Sequence, residues 1–198
     1  MSAFLGPIHS LMYSRIITMQ QVINCLADLA KAKGWDADVS SFVIDEFPPI
    51  EEVIDLSNIH MSLFQMVEGA KRRFAGIVAA VLSEHPERIE EVVTAVKAAG
   101  SSIIIEDVTT AEDACAFLEE LLLDGMPCDR ATMVVGDGDS CRIVRNIDLH
   151  SSYFEAAGLA GDMYYQLLKE FVGGVFADSA VEVSGDFREQ IVLSLKSS

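Results

Sequence analysis

Apolar residues recur every three to four positions through the first hundred residues, a spacing that predicts long amphipathic helices. The first helix is expected over residues 7–33, because proline favours the first turn of a helix and Gly34 favours its end. Two adjacent prolines then interrupt the pattern. Three further helices are expected: a short one over residues 50–56, a long one from Ser57 or Asn58 to about Leu82, and one from Pro86 to near Gly100.

The pattern changes after residue 100, where the β-branched run SIIIE (102–106) indicates a short extended segment. Thr109 and Glu112 then suit a capping box, in which each side chain bonds the backbone of the other. The helix that this box begins is expected to end at Gly125.

Two hairpins and one glycine-containing helix are predicted in the last third of the chain. Strand-like runs flank Asp137-Gly138, a strong signal for a β-hairpin. The stretch AVEVSGDFREQIVLSL has the same pattern, with two strand-like runs on either side of a Gly-Asp turn. Between the hairpins a long helix is expected from Leu149 to Phe176, weakened by its glycines.

These elements predict an α+β fold in which long N-terminal helices pack on a mostly antiparallel sheet of four to five strands. The C-terminal half has the order strand-strand-helix-strand-strand. At 198 residues the chain suits a single domain, with a helical part over residues 1–100 and a mixed sheet and helix part over residues 101–198.

Composition and charge narrow the class of partner. The chain has 31 acidic and 14 basic residues, and its net charge of −17 argues against non-specific binding of nucleic acid and against anionic membrane surfaces. The sequence shows neither a secretory signal nor an apolar run long enough to span a membrane. The four cysteines lie far apart without a CxxC motif, so free thiols and a cytoplasmic location are expected.

Three histidines recur in the first turn of predicted helices, and each is followed four residues later by an aromatic side chain. These pairs are His9 with Tyr13, His60 with Phe64, and His150 with Phe154. A helix N-terminus disfavours imidazolium and so favours the neutral form, which ligates metals and haem iron. Two interpretations stay open: a shared three-nitrogen metal site, which requires parallel helices, or half-buried side chains with local hydrogen-bond partners.

Two arginines fall opposite each other on the first predicted hairpin. In the register that its turn sets, Arg130 and Arg145 share one face, where two guanidinium groups suit a carboxylate or a phosphate. The alternative is pairing at the surface with Asp129 and Asp148. The chain contains no GxSxG, P-loop, HExxH or post-strand GxGxxG motif, so the common catalytic motifs do not decide whether it is an enzyme.

Residues 128–195 have the order hairpin, glycine-containing helix, hairpin. With YFEAAGLAGDMYYQLLKEFVGG ahead of the final hairpin, this region resembles the small-molecule-binding 4-vinyl reductase domain. The resemblance implies an α+β ligand-binding or sensory domain, usually dimeric, with an apolar pocket between helices and sheet. That family commonly has cysteines around its last hairpin, whereas residues 177–198 contain none, so no cysteine metal site is carried over.

Three functions remain open. The first is binding of a small apolar or anionic molecule or cofactor, with contacts from the residues singled out above: His9, Tyr13, His60, Phe64, Arg130, Arg145, His150 and Phe154. The second is a metal- or haem-dependent enzyme in which His9, His60 and His150 are the ligands. The third is a non-catalytic partner subunit that dimerises through apolar helix faces, and a homodimer is expected in any case.

Overall fold

The computed structural model describes residues 4–196 and confirms the α+β fold, with seven α-helices and one open four-stranded antiparallel sheet in that part of the chain. The helices are α1 (Pro7–Lys33), α2 (Ile50–Val53), α3 (Ile59–Leu82), α4 (Ile89–Ser101), α5 (Ala111–Leu121), α6 (Ser151–Ala156) and α7 (Met163–Val175). The strands are β1 (Thr132–Gly136), β2 (Ser140–Arg145), β3 (Val181–Ser184) and β4 (Gln190–Leu195). Their order is β1-β2-β4-β3, so the two hairpins meet along β2 and β4.

The long N-terminal helices begin and end close to the predicted residues. Gly34 ends α1 in the left-handed conformation (φ 64°), and its N–H bonds the carbonyls of Ala30 and Lys31. Asn58 precedes α3, and a short 3-10 turn at Pro86–Arg88 leads into α4. No helix between residues 4 and 196 is both long and apolar enough to cross a membrane.

The predicted capping box and the end of the following helix are wrong. Thr110 caps α5 by accepting from the backbone N–H of Asp113 (3.0 Å), and the Asp113 carboxylate accepts from the N–H of Thr110 (2.9 Å). The helix ends at Leu121, four residues before Gly125, because the next two residues leave it to bury their side chains. Leu122 joins the large core and Leu123 a second, smaller one.

The run SIIIE forms no strand. Residues 102–106 connect α4 to α5, with Ile103 and Ile105 packed against the core and Ile104 79% exposed. The side chains alternate as they would in a strand, but the backbone has no neighbouring strand to pair with. β-Branched residues favour an extended backbone, and tertiary contacts decide whether that backbone joins a sheet.

The single helix expected from Leu149 to Phe176 is two helices, α6 and α7. Gly158 adopts φ 82°, which ends α6, and its N–H bonds the carbonyl of Glu155. A left-handed residue cannot continue a right-handed helix, so the chain turns before α7 begins at Met163.

The first hairpin turns one residue later than predicted. Its register pairs Thr132 with Arg145, and the turn is centred on Gly138-Asp139, where Gly138 has φ 89°. Asp137 closes this turn, because its carboxylate accepts from both the N–H and the hydroxyl of Ser140. The predicted pairing of Arg130 with Arg145 is therefore wrong, since Arg130 precedes β1.

Two apolar clusters form the interior. The large cluster lies between the inner face of the sheet and helices α1, α3, α4, α5 and α7, with Ile143, Ile191 and Leu193 almost fully buried. The small cluster joins the N-terminal parts of α1 and α3 to residues 123–126. The segment between α5 and β1 therefore runs along the boundary between the two clusters.

Candidate functional site

The recurring histidines are divided between two places. His9 accepts the backbone N–H of Gly6 at Nδ1 (2.8 Å), which gives this first-turn histidine a local hydrogen-bond partner at the start of α1. His9 and His60 line one hollow of about 190 Å³ between α1 and α3, beside Cys128. His150 is not in that hollow but lies in the core, and within residues 4–196 no three His, Cys, Asp or Glu side chains are placed to hold a metal ion.

The aromatic side chains that follow the histidines also lie in different environments. The Tyr13 hydroxyl donates to the carbonyl of Pro48 (2.8 Å), which fixes the segment before α2 to α1. Phe154 is 1% exposed and packs edge-on against Phe74. Phe64 is 43% exposed on the surface of α3. The shared helical spacing therefore does not place these rings together.

A buried ion pair lies at the centre of the candidate site. Arg145, at the end of β2, donates from Nη1 to Oδ1 of Asp124 (2.7 Å), and the two side chains are 4% and 13% exposed. Nε2 of His150 lies 3.6 Å from the same carboxylate oxygen, which is too long for a hydrogen bond. The His150 ring stacks face to face on Tyr164 with 3.8 Å between centroids, and the guanidinium of Arg145 lies over Tyr165.

Asp148 sets the position of His150. Its Oδ1 accepts from the backbone N–H groups of His150 and Ser151 (both 3.0 Å), which holds the backbone where α6 begins. The same oxygen accepts from the hydroxyl of Tyr165 on α7 (2.7 Å). The local sequence DLHSS therefore leads into α6 and holds the His150 imidazole beside the carboxylate of Asp124.

The charges of this cluster follow from its burial. Burial would raise the pKa of Asp124, but the adjacent His150 and Arg145 outweigh it and hold that pKa below its ordinary value. Burial lowers the pKa of His150, against the attraction of Asp124. At neutral pH the cluster therefore contains an ionised Asp124, a charged Arg145 and a neutral His150.

A cleft of about 220 Å³ opens beside Asp124, between α1, the end of α5 and the segment leading into β1. Its lining combines apolar side chains with charged groups of both signs. The lining residues are Ile8, Arg15, Glu119, Leu122, Asp124, Gly125, Met126, Pro127, Arg130, Ala131, Thr132 and Ile143. The cleft shares Ile8, Met126 and Pro127 with the His9–His60 hollow, so the two concavities adjoin.

Arg15 is a half-buried cation without an anionic partner. Among residues 4–196 its buried Nε finds no hydrogen-bond partner, and its Nη1 donates to the sulfur of Met12 alone, at 3.6 Å. No carboxylate of residues 4–196 lies within ion-pairing distance of it. Burial lowers the pKa of Arg15, opposed by Asp124 and Glu119, and an arginine remains protonated throughout the physiological range.

Arg130 supplies the second guanidinium of the cleft. Its backbone has φ 50°, and its carbonyl accepts from the side-chain amide of Asn146 (3.1 Å), which holds this residue at the entry to β1. Its exposed guanidinium has no carboxylate of the described chain within ion-pairing distance. The proposed surface partners Asp129 and Asp148 are engaged with backbone N–H groups instead.

Arg15 and Asp124 were not among the residues singled out from the sequence. A signal for Arg15 exists, because it shares the helical stripe of Met12, Met19 and Val22, whose members are buried or half-buried. A charge within such a stripe marks a position that needs a special environment. Asp124 gives a weaker signal, as an acid directly after three leucines.

A second polar group lies on α3. Lys71 is 5% exposed, its Nζ is 4.0 Å from Glu68, and it lies over the ring of Tyr153, whose hydroxyl donates to Glu68. Burial lowers the pKa of Lys71, and Glu68 opposes that shift. Burial and Glu68 together raise the pKa of Tyr153 to about 12.

The fold and the site together define an α+β protein with a mixed-charge cleft at the junction of its helical and sheet parts. Comparison with protein-family models, with curated proteins and with solved structures finds no match to this chain. The resemblance of residues 128–195 to the 4-vinyl reductase domain therefore stays a prediction.

Proposed function

We propose that the protein binds a small molecule through an anionic group held in the cleft between Arg15 and Arg130. The observation that carries the proposal is that Arg15 is half-buried and its Nε has no hydrogen-bond partner among the residues that the structure describes. A buried donor without an acceptor is costly, and a carboxylate or phosphate oxygen would satisfy it with a charge-assisted bond.

The other charged groups near the cleft support this assignment. Arg130 adds a second guanidinium, with no acidic partner in the described part of the chain, and two such groups in one cleft suit recognition of an anion. Arg145 is already paired with Asp124, so in this proposal it positions the wall of the cleft and does not contact the ligand. His150 acts in the same way, through its contact with Asp124.

Side-chain NMR of the arginines tests the proposal directly. Titration with acetate, succinate or inorganic phosphate should shift the Nε–Hε resonances of Arg15 and Arg130. Arg15→Gln and Arg130→Gln should each weaken binding by about tenfold or more, since a hydrogen bond to a charged group contributes about 1.5–3 kcal/mol. Arg188→Gln, on the exposed connection between β3 and β4, is the matched control and should leave the dissociation constant unchanged.

Two results would contradict the proposal. One is that none of these anions shifts the Arg15 resonance. The other is that Arg15→Gln binds the anions as well as the Arg188→Gln control does, which would mean that the anions associate with the surface in general.

A further inference from the structure

The cleft adjoins a second cavity of a different character. Arg15 and Leu122 line both, so they form the partition between them. Beyond this partition lies a cavity of about 40 Å³ between α1, α4 and α7, walled largely by aliphatic and aromatic side chains such as Val22, Val96 and Leu168. A polar cleft and an apolar cavity therefore meet at one guanidinium group.

The cleft also holds carboxylates that lack a full set of partners. Glu119 has no cation of residues 4–196 within ion-pairing distance. Oδ1 of Asp124 accepts a hydrogen bond from Arg145, while Oδ2 accepts none within the same part of the chain. Glu119 weakens the attraction of Arg15 for a simple anion without abolishing it, whereas a ligand that also carries a cationic donor is attracted by both acids.

We propose that the ligand is an aliphatic α-amino acid, with its carboxylate at Arg15 and Arg130, its ammonium group at Glu119 and Asp124, and its side chain in the apolar cavity. This inference rests on the anion-binding function proposed above and adds the two other recognition elements. The carboxylate, the ammonium group and the side chain of such a molecule all branch from one carbon atom. In the protein, Arg15, the two acids of the cleft and the apolar cavity are likewise neighbours, because Arg15 and Leu122 line both the cleft and the cavity.

The size of the cavity restricts the side chain. A cavity of about 40 Å³ holds about two carbon atoms at the end of an aliphatic side chain, and it does not suit an indole ring. Burial of each methylene group tightens binding by about fourfold, so leucine, with about two carbon atoms buried in the cavity, should bind on the order of 10 times more tightly than glycine.

Calorimetric titration with four probes separates the three recognition elements. Leucine carries all three, glycine lacks the side chain, 4-methylpentanoate lacks the ammonium group, and 3-methylbutylamine lacks the carboxylate. Leucine should bind at least about tenfold more tightly than each of the others, because every element contributes a contact that its analogue omits.

Matched variants assign each element to its residues. Glu119→Gln should remove most of the preference for leucine over 4-methylpentanoate, while Glu112→Gln, exposed on the same helix, should keep it. Val22→Phe should fill the cavity and remove the preference for leucine over glycine, and Val192→Phe on the outer face of the sheet should not. Thr18→Leu, at a half-buried position in the same wall, repeats this test if Val22→Phe does not fold.

The outcomes distinguish this inference from the function on which it rests. If phosphate or acetate shifts the Arg15 resonance but leucine binds no more tightly than glycine or 4-methylpentanoate, the amino-acid assignment is overturned and anion binding stands. If no anion and no amino acid shifts that resonance, both the amino-acid assignment and the proposed anion binding are wrong.

Discussion

The environment of His150 illustrates how one residue depends on several elements at once. Asp148 fixes its backbone, Tyr164 covers one face of its ring, and Asp124 approaches its Nε2. Desolvation opposes protonation of the ring, and the carboxylate favours it. Desolvation is the stronger effect, so the folded protein holds a neutral imidazole with a pKa below that of an exposed histidine.

The depressed pKa of His150 predicts that the free energy of unfolding decreases on acidification. Between the ordinary value of 6.5 and the lower folded value, the unfolded chain binds a proton that the folded protein does not. The contribution of His150 to the free energy of unfolding should therefore be fully present above about pH 7. It should be lost as the pH falls through 6.5, by up to about 1.4 kcal/mol per pH unit. Urea unfolding at a series of pH values measures this slope.

A histidine variant isolates that contribution. His150→Gln should flatten the slope between about pH 7 and pH 5, and His60→Gln, an exposed first-turn histidine on α3, should retain the wild-type slope. Acidification below the ordinary Asp124 pKa of 3.8 should cost further stability, because that pKa is depressed as well. A wild-type slope in His150→Gln would refute the assignment.

Removal of one partner of the buried ion pair should lower the free energy of unfolding more than removal of both partners does. Arg145→Met leaves Asp124 charged and unpaired in the interior, at an expected cost of about 3–5 kcal/mol in the free energy of unfolding. Adding Asp124→Asn should recover part of that loss, because the unpaired charge disappears. Chemical denaturation of both single variants and the double variant measures the coupling between the two residues.

The neighbouring arginine on β2 is the control for this cycle. Arg142 pairs with the exposed Asp137 at 3.4 Å, and Arg142→Met should leave the free energy of unfolding nearly unchanged. Strictly additive losses in the Arg145 and Asp124 variants would show that the two side chains do not stabilise each other.

At the scale of elements, α4 and α7 cross so closely that their backbones touch. A Cβ atom built on Gly174 would lie 2.1 Å from the carbonyl oxygen of Lys97, and one built on Gly100 would lie 2.1 Å from the carbonyl oxygen of Phe171. The crossing is symmetrical, with one glycine from each helix facing a carbonyl of the other. Glycine is therefore required at both positions by the close approach, although it weakens each helix.

Adjacent glycines on α7 give a matched pair of substitutions. Gly174→Ala should lower the free energy of unfolding by about 3 kcal/mol or more, since its methyl group overlaps the backbone of α4. Gly173→Ala meets nothing within 4 Å and should raise it by about 0.5–1 kcal/mol, through better helix propensity. Thermal unfolding compares the two, and equal effects would contradict the close crossing.

The sequence predicts elements well where their signals are local. Proline before a helical stripe and glycine after it give both ends of α1, and the two Gly-containing turns give both hairpins. The predictions fail where tertiary contacts decide, as at Leu122 and Leu123, whose burial ends α5 early. The site depends on such contacts throughout, because Asp124, Arg145 and His150 are brought together only by the packing of the loop, β2 and α6.

At the scale of the whole molecule, the cleft lies where the two apolar clusters meet. Helices α1 and α3 contribute to both clusters, while the sheet contributes to the large one alone. In a chain of net charge −17, the cleft brings together two guanidinium groups, those of Arg15 and Arg130, that make no ion pair with any residue from 4 to 196, and two carboxylates, those of Glu119 and Asp124. The expected homodimer stays a prediction.

The two leucines that follow α5 are buried in different apolar clusters, and this fixes the length of the segment that connects α5 to β1. Leu122 belongs to the large cluster and Leu123 to the small one, with Asp124 directly behind them. Insertion of a single residue before Leu122 would place Leu122 at the position of Leu123 and Leu123 at the position of Asp124, and it would move the carboxylate away from Arg145. Surface connections ordinarily tolerate changes in length. This connection should not, because the positions of both leucines and of Asp124 in the cleft depend on its length.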